Sequence, residues 1–237
     1  MSEYDPTDFT ILVVEDHSFS RKALISMLMR AGYENILGAK DGDDALSKLN
    51  ENRVDLVITD INMPVKNGLE LIKAIRTHHT QNPIYTRIIA VTTLQDTATI
   101  AACMTLEVDA FLVKPITVQN AQEKIQLAIS EPKKLYQQHL YESVSTEIEL
   151  NPSNVKPKRV EGNRVYGIQS EFHVANSMSE LRDGMTLLDD ICVSNGGCLV
   201  KAGSVINQKT LRRLKELSSI IDFCPTRVRV DQKDMVG

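Results

Sequence analysis

Val54-Asp55-Leu56-Val57-Ile58-Thr59-Asp60-Ile61-Asn62-Met63-Pro64 joins a short apolar run to an acid. Val54 to Thr59 is rich in β-branched residues and has the composition of a strand buried on both faces of a sheet. The run ends at Asp60, so a buried strand delivers a carboxylate at its carboxyl end. Parallel α/β sheets bind their ligands beyond that end of the strands.

Four further runs have the same character: Thr10–Val14, Asn35–Ala39, Arg87–Val91 and Ala110–Val113. Helical patterns separate them. Ser20 to Ala31 sets Leu24, Met27, Leu28 and Ala31 on one stripe, and Leu69 to Ile75 does the same with Leu71, Ile72 and Ile75. Asp43 to Leu49 opens with acids, which suit a helix N-terminus. Thr97–Leu106 and Val118–Ile129 complete five strand–helix pairs, the pattern of an α/β domain with a parallel central sheet.

Five polar side chains then fall at strand ends on one sheet edge: Glu15, Asp16, Asp60, Thr92 and Lys114. A single acid at such a place is more often a helix cap, but the whole set on one edge points to chemistry. Three neighbouring carboxylates repel one another, and a hard divalent cation removes that penalty. Mg²⁺ takes oxygen ligands and is satisfied with one or two carboxylates plus water. Lys114 offers a compact positive charge for a phosphate, and Thr92 a hydroxyl donor. Asp60 is then a nucleophile that forms an aspartyl phosphate.

Residues of about 9–130 resemble a CheY-like receiver domain, on Glu15-Asp16, Asp60-Ile61-Asn62-Met63-Pro64 with Gly68, Thr92, Phe111 and Lys114-Pro115. The intervals fit the family pattern, with 44 residues from Asp16 to Asp60 and 22 from Thr92 to Lys114. The resemblance implies a flavodoxin-like, doubly wound five-stranded sheet of order 2-1-3-4-5. It implies Asp60 as phosphoacceptor, and Mg²⁺ held by Glu15, Asp16, Asp60 and the backbone carbonyl of Asn62. Thr92 and Lys114 would contact the phosphoryl group, and Thr92 with Phe111 would act as the switch. The implied partners are a sensor histidine kinase or phosphotransfer protein and a downstream protein target, with homodimerisation one form of output. Three positions depart from the pattern. Thr93 replaces a common Ala, Phe111 lacks a tyrosine hydroxyl, and Glu107 stands where a glycine that takes φ > 0 is usual.

The second half differs in charge. Residues 1–150 hold 14 basic and 21 acidic side chains, and residues 151–237 hold 13 and 10. That basic excess is too small to argue nucleic-acid binding alone. Pro132, Pro152 and Pro157 and the turn Asn151-Pro152-Ser153-Asn154 mark residues 131–165 as a linker, in which Leu135 to Val144 has the length of a short helix. Residues 166–237 read as a smaller, β-rich α+β domain. Phe172–Val174 is a strand, and Met178–Leu181 a helical turn stopped by Gly184. Thr186–Val193 is a strand turned at Asn195-Gly196-Gly197 into Cys198–Lys201. Gln208–Leu217 is an amphipathic helix, and Val228 and Val230 belong to an edge strand.

Glu180–Leu217 resembles the accessory modules found beside HD-GYP domains, without the HD or GYP residues and without GGDEF or EAL signatures. This reading predicts no output enzyme and favours a protein-interaction module. A DNA-binding regulator is the alternative, with Lys209, Arg212, Arg213 and Lys215 on a recognition helix. One clear helix is short of the pair such folds pack together. The cysteines Cys103, Cys192, Cys198 and Cys224 form no C-x-x-C pair, which argues for free thiols in a reducing cytosol rather than zinc. Cys192 and Cys198 flank the hairpin turn and face each other if it forms. No signal peptide or membrane-length apolar run occurs, so a cytoplasmic location is expected.

Overall fold

The computed structural model describes residues 8–93, 97–148, 172–192, 198–218, 221 and 223–230. Among these the chain forms two compact units, one within residues 1–95 and 105–148, the other within residues 96–104 and 149–237.

The first unit is built on β1 (Ile11–Val14), β2 (Ile36–Ala39), β3 (Leu56–Asp60), β4 (Arg87–Thr92) and β5 (Ala110–Val113). All neighbours pair in parallel, in the order β2-β1-β3-β4-β5. Between them run α1 (Ser18–Arg30), α2 (Gly42–Glu51) and α3 (Gly68–Arg76), and α5 (Val118–Ser130) follows β5. The alternation of a strand sends Ile11, Val13, Leu56, Ile58, Ile89, Val91, Ala110 and Leu112 to one face, where Leu24 and Leu28 of α1 and Ile125 of α5 cover them. Each such buried side chain contributes about 1.5–3 kcal/mol.

Helix starts follow from short polar caps. Asp41 accepts from Asp44 N–H at 2.8 Å at the start of α2, and Thr117 accepts from Asn120 N–H at 3.2 Å at the start of α5. α3 opens with a reciprocal pair. Asn67 accepts from Glu70 N–H at 2.9 Å, and Glu70 accepts from Asn67 N–H at 2.8 Å.

Residues 131–148 lie in the first unit, although Pro132 reads as the start of a linker. Lys73 Nζ donates to the carbonyls of Glu142 and Val144, and Asn67 Nδ2 to that of Thr146. The only helical part of Leu135–Val144 is a 3-10 helix, Gln138–Ser143. Asn151-Pro152-Ser153-Asn154 and Pro157 lie outside the described residues.

The second unit contains α4 (Thr97–Thr105, to residue 104), β6 (His173–Ala175), β7 (Met185–Leu187), β8 (Ile191–Cys192), β9 (Cys198–Val200), α6 (Gln208–Glu216) and β10 (Thr226–Val230). Two expectations change here. The strand expected over Thr186–Val193 is broken in two, because Asp189 turns to pair with Arg227 and Leu188 N–H donates to the Arg227 carbonyl. β10 is central rather than at an edge, pairing antiparallel with both β6 and β7. Its Val228 packs at 0% exposure, which an edge position would not require. The expected Cys192–Cys198 pairing is present across β8 and β9, with its Asn195-Gly196-Gly197 turn outside the described residues. Among the described residues no helix is long and apolar enough to cross a membrane.

Candidate functional site

The carboxyl edge of the five-stranded sheet gathers Glu15, Asp16, Asp60 and Lys114. Asp60 is the last residue of β3, held opposite Val91, and Thr92 follows at the end of β4. Glu15 and Asp16 follow β1, and Lys114 follows β5. One carboxylate oxygen from each of Glu15, Asp16 and Asp60 lies within 4.8 Å of the other two. Lys114 Nζ stands between two of them, donating to Asp60 Oδ2 at 2.6 Å and Glu15 Oε2 at 3.1 Å. Its backbone N–H donates to the Thr92 carbonyl at 3.0 Å, which ties the β4 end to the lysine. The Lys114–Pro115 bond is cis.

Burial sharpens the electrostatics. Glu15 and Asp60 are buried, whereas Asp16 is exposed. Burial, and then the Asp60 charge, push the Glu15 carboxyl above its ordinary value, with Lys114 and the His17 amide pulling the other way. For Lys114 burial lowers the pKa, but the bonds and charges of Asp60 and Glu15 outweigh it, so the ammonium is held above its usual range. Two buried carboxylates and one exposed one, all oxygen donors, match the needs of a hard divalent cation.

The loop after β3 is pinned from both ends. Gly68 N–H donates to the Ile61 carbonyl at 2.9 Å. A Cβ on Gly68 would stand 2.3 Å from the Asp60 carbonyl oxygen and 2.7 Å from Ile61 Cα, so only glycine lets α3 start this close to the acceptor strand. Between them Val65 takes φ 70, an uncommon conformation for a β-branched residue. Asn62 is exposed, with its N–H 3.4 Å from Asp60 Oδ1.

The expected site residues thus divide. Glu15, Asp16, Asp60 and Lys114 are brought together directly, and Thr92 and Asn62 flank them. Phe111 lies within β5 opposite Ala90 and is buried.

Sequence reasoning missed one residue that shapes this frame. Arg76, at the end of α3, is buried and donates to the carbonyls of Leu106, Thr86 and Glu107, with Asp109 3.7 Å away. Burial pulls its pKa down, against the opposing charges of Asp109, Tyr141 and Glu107. A basic residue in the last turn of a helix reads as an ordinary dipole partner, so no local signal distinguishes it.

Residues 11–126 match the family model of the response regulator receiver domain. The chemotaxis protein CheY1 of Helicobacter pylori is 37% identical over 120 residues, which cover 50% of this chain and 95% of that protein. The CheY homolog of Campylobacter jejuni is 37% identical over 117 residues, covering 49% and 88%. The solved structure of the chemotaxis response regulator CheY4 of Vibrio cholerae is 30% identical, with a TM-score of 0.47, covering 52% of this chain and 99% of that one. By the match of its first half, this chain belongs to the response regulator receiver family.

Proposed function

We propose that the chain is a phosphorelay response regulator in which Asp60 takes a phosphoryl group from the phosphohistidine of a kinase or phosphotransfer protein. The observation that carries this is the Asp60 carboxylate at a buried strand end, 2.6 Å from Lys114 Nζ and flanked by Glu15 and Asp16. An Asp60 oxygen attacks phosphorus, the P–N bond breaks, and the imidazole leaves with the electron pair and takes up a proton. Lys114 moves its hydrogen bonds from carboxylate to phosphoryl oxygen as charge builds there. The Thr92 hydroxyl donates to another phosphoryl oxygen. Glu15, Asp16, Asp60 and the Asn62 carbonyl are the residues that would hold Mg²⁺, which when bound neutralises charge on the transferring group.

The acyl phosphate carries roughly −1.5 to −2 charge where the carboxylate carried −1, so the sheet edge becomes more negative by roughly −0.5 to −1. α4 starts five residues after Thr92 and belongs to the second unit, so the chain leads from the switch residue directly into it. This supports the β-rich second unit as the output element, through contact with a protein target or a second copy. A recognition helix on α6 is disfavoured, since Lys209 is 8% and Arg213 2% exposed. The chain then acts as acceptor and switch rather than as an output enzyme.

The test is incubation with Mg²⁺ and a small acyl-phosphate donor, reading intact mass and oligomeric state together. Wild type gains one phosphoryl group, and Asp60→Asn gains none. If neither gains mass, even with a cognate kinase, the reading is wrong.

A further inference from the structure

Asp190, Cys192 and Cys198 meet within the second unit. A carboxylate oxygen and two Sγ atoms, one from each residue, lie within 4.8 Å of one another. β8 and β9 bring this about by pairing antiparallel with Cys192 opposite Cys198, next to an irregularity between Ile191 and Cys192. Asp190 Oδ1 accepts from Ala202 N–H at 2.7 Å, which fixes the carboxylate beside the hairpin. Both thiols are free.

We propose that Asp190, Cys192 and Cys198 bind a zinc-class divalent cation, with solvent completing its coordination. Zn–S bonds of about 2.3 Å at tetrahedral angles set sulfurs roughly 3.8 Å apart, so the three donors need only small side-chain adjustments. Thiolate donors select such an ion over Mg²⁺ or Ca²⁺. β10 is tied to the residue before Asp190. Arg227 N–H donates to Asp189 Oδ2 at 2.9 Å, and the Arg227 carbonyl accepts from Leu188 N–H at 2.8 Å. The second residue of β10 is thus fixed one residue from Asp190.

The electrostatics agree. Burial, then the charges of Asp190 and Cys192, push the Cys198 thiol up to about 12. Burial and Asp190 also raise Cys192. A divalent cation removes that penalty, and each ligating thiol gives its proton to solvent as the metal–sulfur bond forms. No electron changes hands. The spacing of Cys192 and Cys198 is unlike the C-x₂₋₄-C of common zinc sites because a hairpin, not a tight turn, brings them together. A hairpin of two- and three-residue strands gains from such a tie across β8 and β9.

The experiment uses the reduced full chain with Zn²⁺ in native mass spectrometry and with Co²⁺ in absorption spectroscopy. With excess Mg²⁺ to fill the carboxylate edge, one zinc or cobalt ion per chain is expected, with a thiolate-to-cobalt charge-transfer band and a raised unfolding temperature. Cys192→Ser with Cys198→Ser loses ion and band yet still takes up a phosphoryl group at Asp60. Asp190→Asn keeps the band and binds about tenfold more weakly or worse. The proposal is overturned if reduced wild type binds no ion, or if the double serine variant keeps it. It is equally overturned if wild type refuses metal and only oxidises, with loss of a hydrogen pair, to a Cys192–Cys198 disulfide.

Discussion

Tyr141 Oη donates to Glu107 Oε2 at 2.6 Å, with both residues buried, and joins the segment after α5 to the turn before β5. The same carboxylate accepts from the amides of Tyr136 at 2.8 Å and Gln137 at 2.9 Å. Glu107 itself holds φ 53, a left-handed conformation that glycine adopts more cheaply. Charge-assisted bonds to three donors offset that strain. Glu107→Ala keeps the strain and orphans the donors, so it should lower unfolding free energy by about 3 kcal/mol. Tyr141→Phe should cost about 1–2 kcal/mol. Urea unfolding of both variants checks this, and near-wild-type stability of Glu107→Ala would contradict the role assigned to the carboxylate.

Gly68→Ala forces a Cβ to 2.3 Å from the Asp60 carbonyl oxygen. Backbone on both sides leaves little room for relaxation, so a loss of about 1–3 kcal/mol is expected. Because the displaced atom belongs to Asp60, phosphoryl uptake should slow as well. Thermal unfolding and an intact-mass time course measure the two effects separately.

Lys114→Met removes the cation that bridges Asp60 and Glu15. The rate of phosphoryl uptake from a small donor should fall by about 10²-fold, the scale for loss of one charge-stabilising donor. An unchanged rate would show that Lys114 serves only as the ion-pair partner seen at rest.

Asp44 offers a pH-dependent test on a residue outside the proposed metal ligands. Burial raises its pKa, but Lys48 and the Lys40 amide outweigh that and hold the carboxyl below 3.8. A depressed acid stabilises the fold above its unfolded pKa and loses that contribution as pH falls through the folded one. Asp44→Asn should therefore cost about 0.5–1 kcal/mol at pH 7, with the difference closing below pH 3.8. Melting curves of the two proteins across pH decide it.

The first half was legible because its information is local. Each buried strand is a continuous apolar run, and Glu15, Asp16, Asp60 and Lys114 sit at run ends where the parallel arrangement must bring them together. Glu107 was visible only as a departure from a glycine. Its partners lie 29 to 34 residues away and carry no pattern of their own. Arg76 was hidden for the same reason, since four of its acceptors are backbone carbonyls, which every residue has. In the second half, strands of two and three residues give too few positions for alternation to set their limits. The break at Asp189 depends on Arg227, 38 residues on.

The central place of β10 also bears on how the protein is made. All residues of the first unit have left the ribosome by residue 148, whereas β6 and β7 have no shared partner until residues 226–230 emerge. Synthesis runs at about 5–20 residues per second, so several seconds separate the two events. During that interval the phosphoacceptor edge has all of its charged residues while the second sheet is still two unjoined strands. A nascent chain thus completes the site proposed to accept a phosphoryl group before it completes the sheet proposed for output.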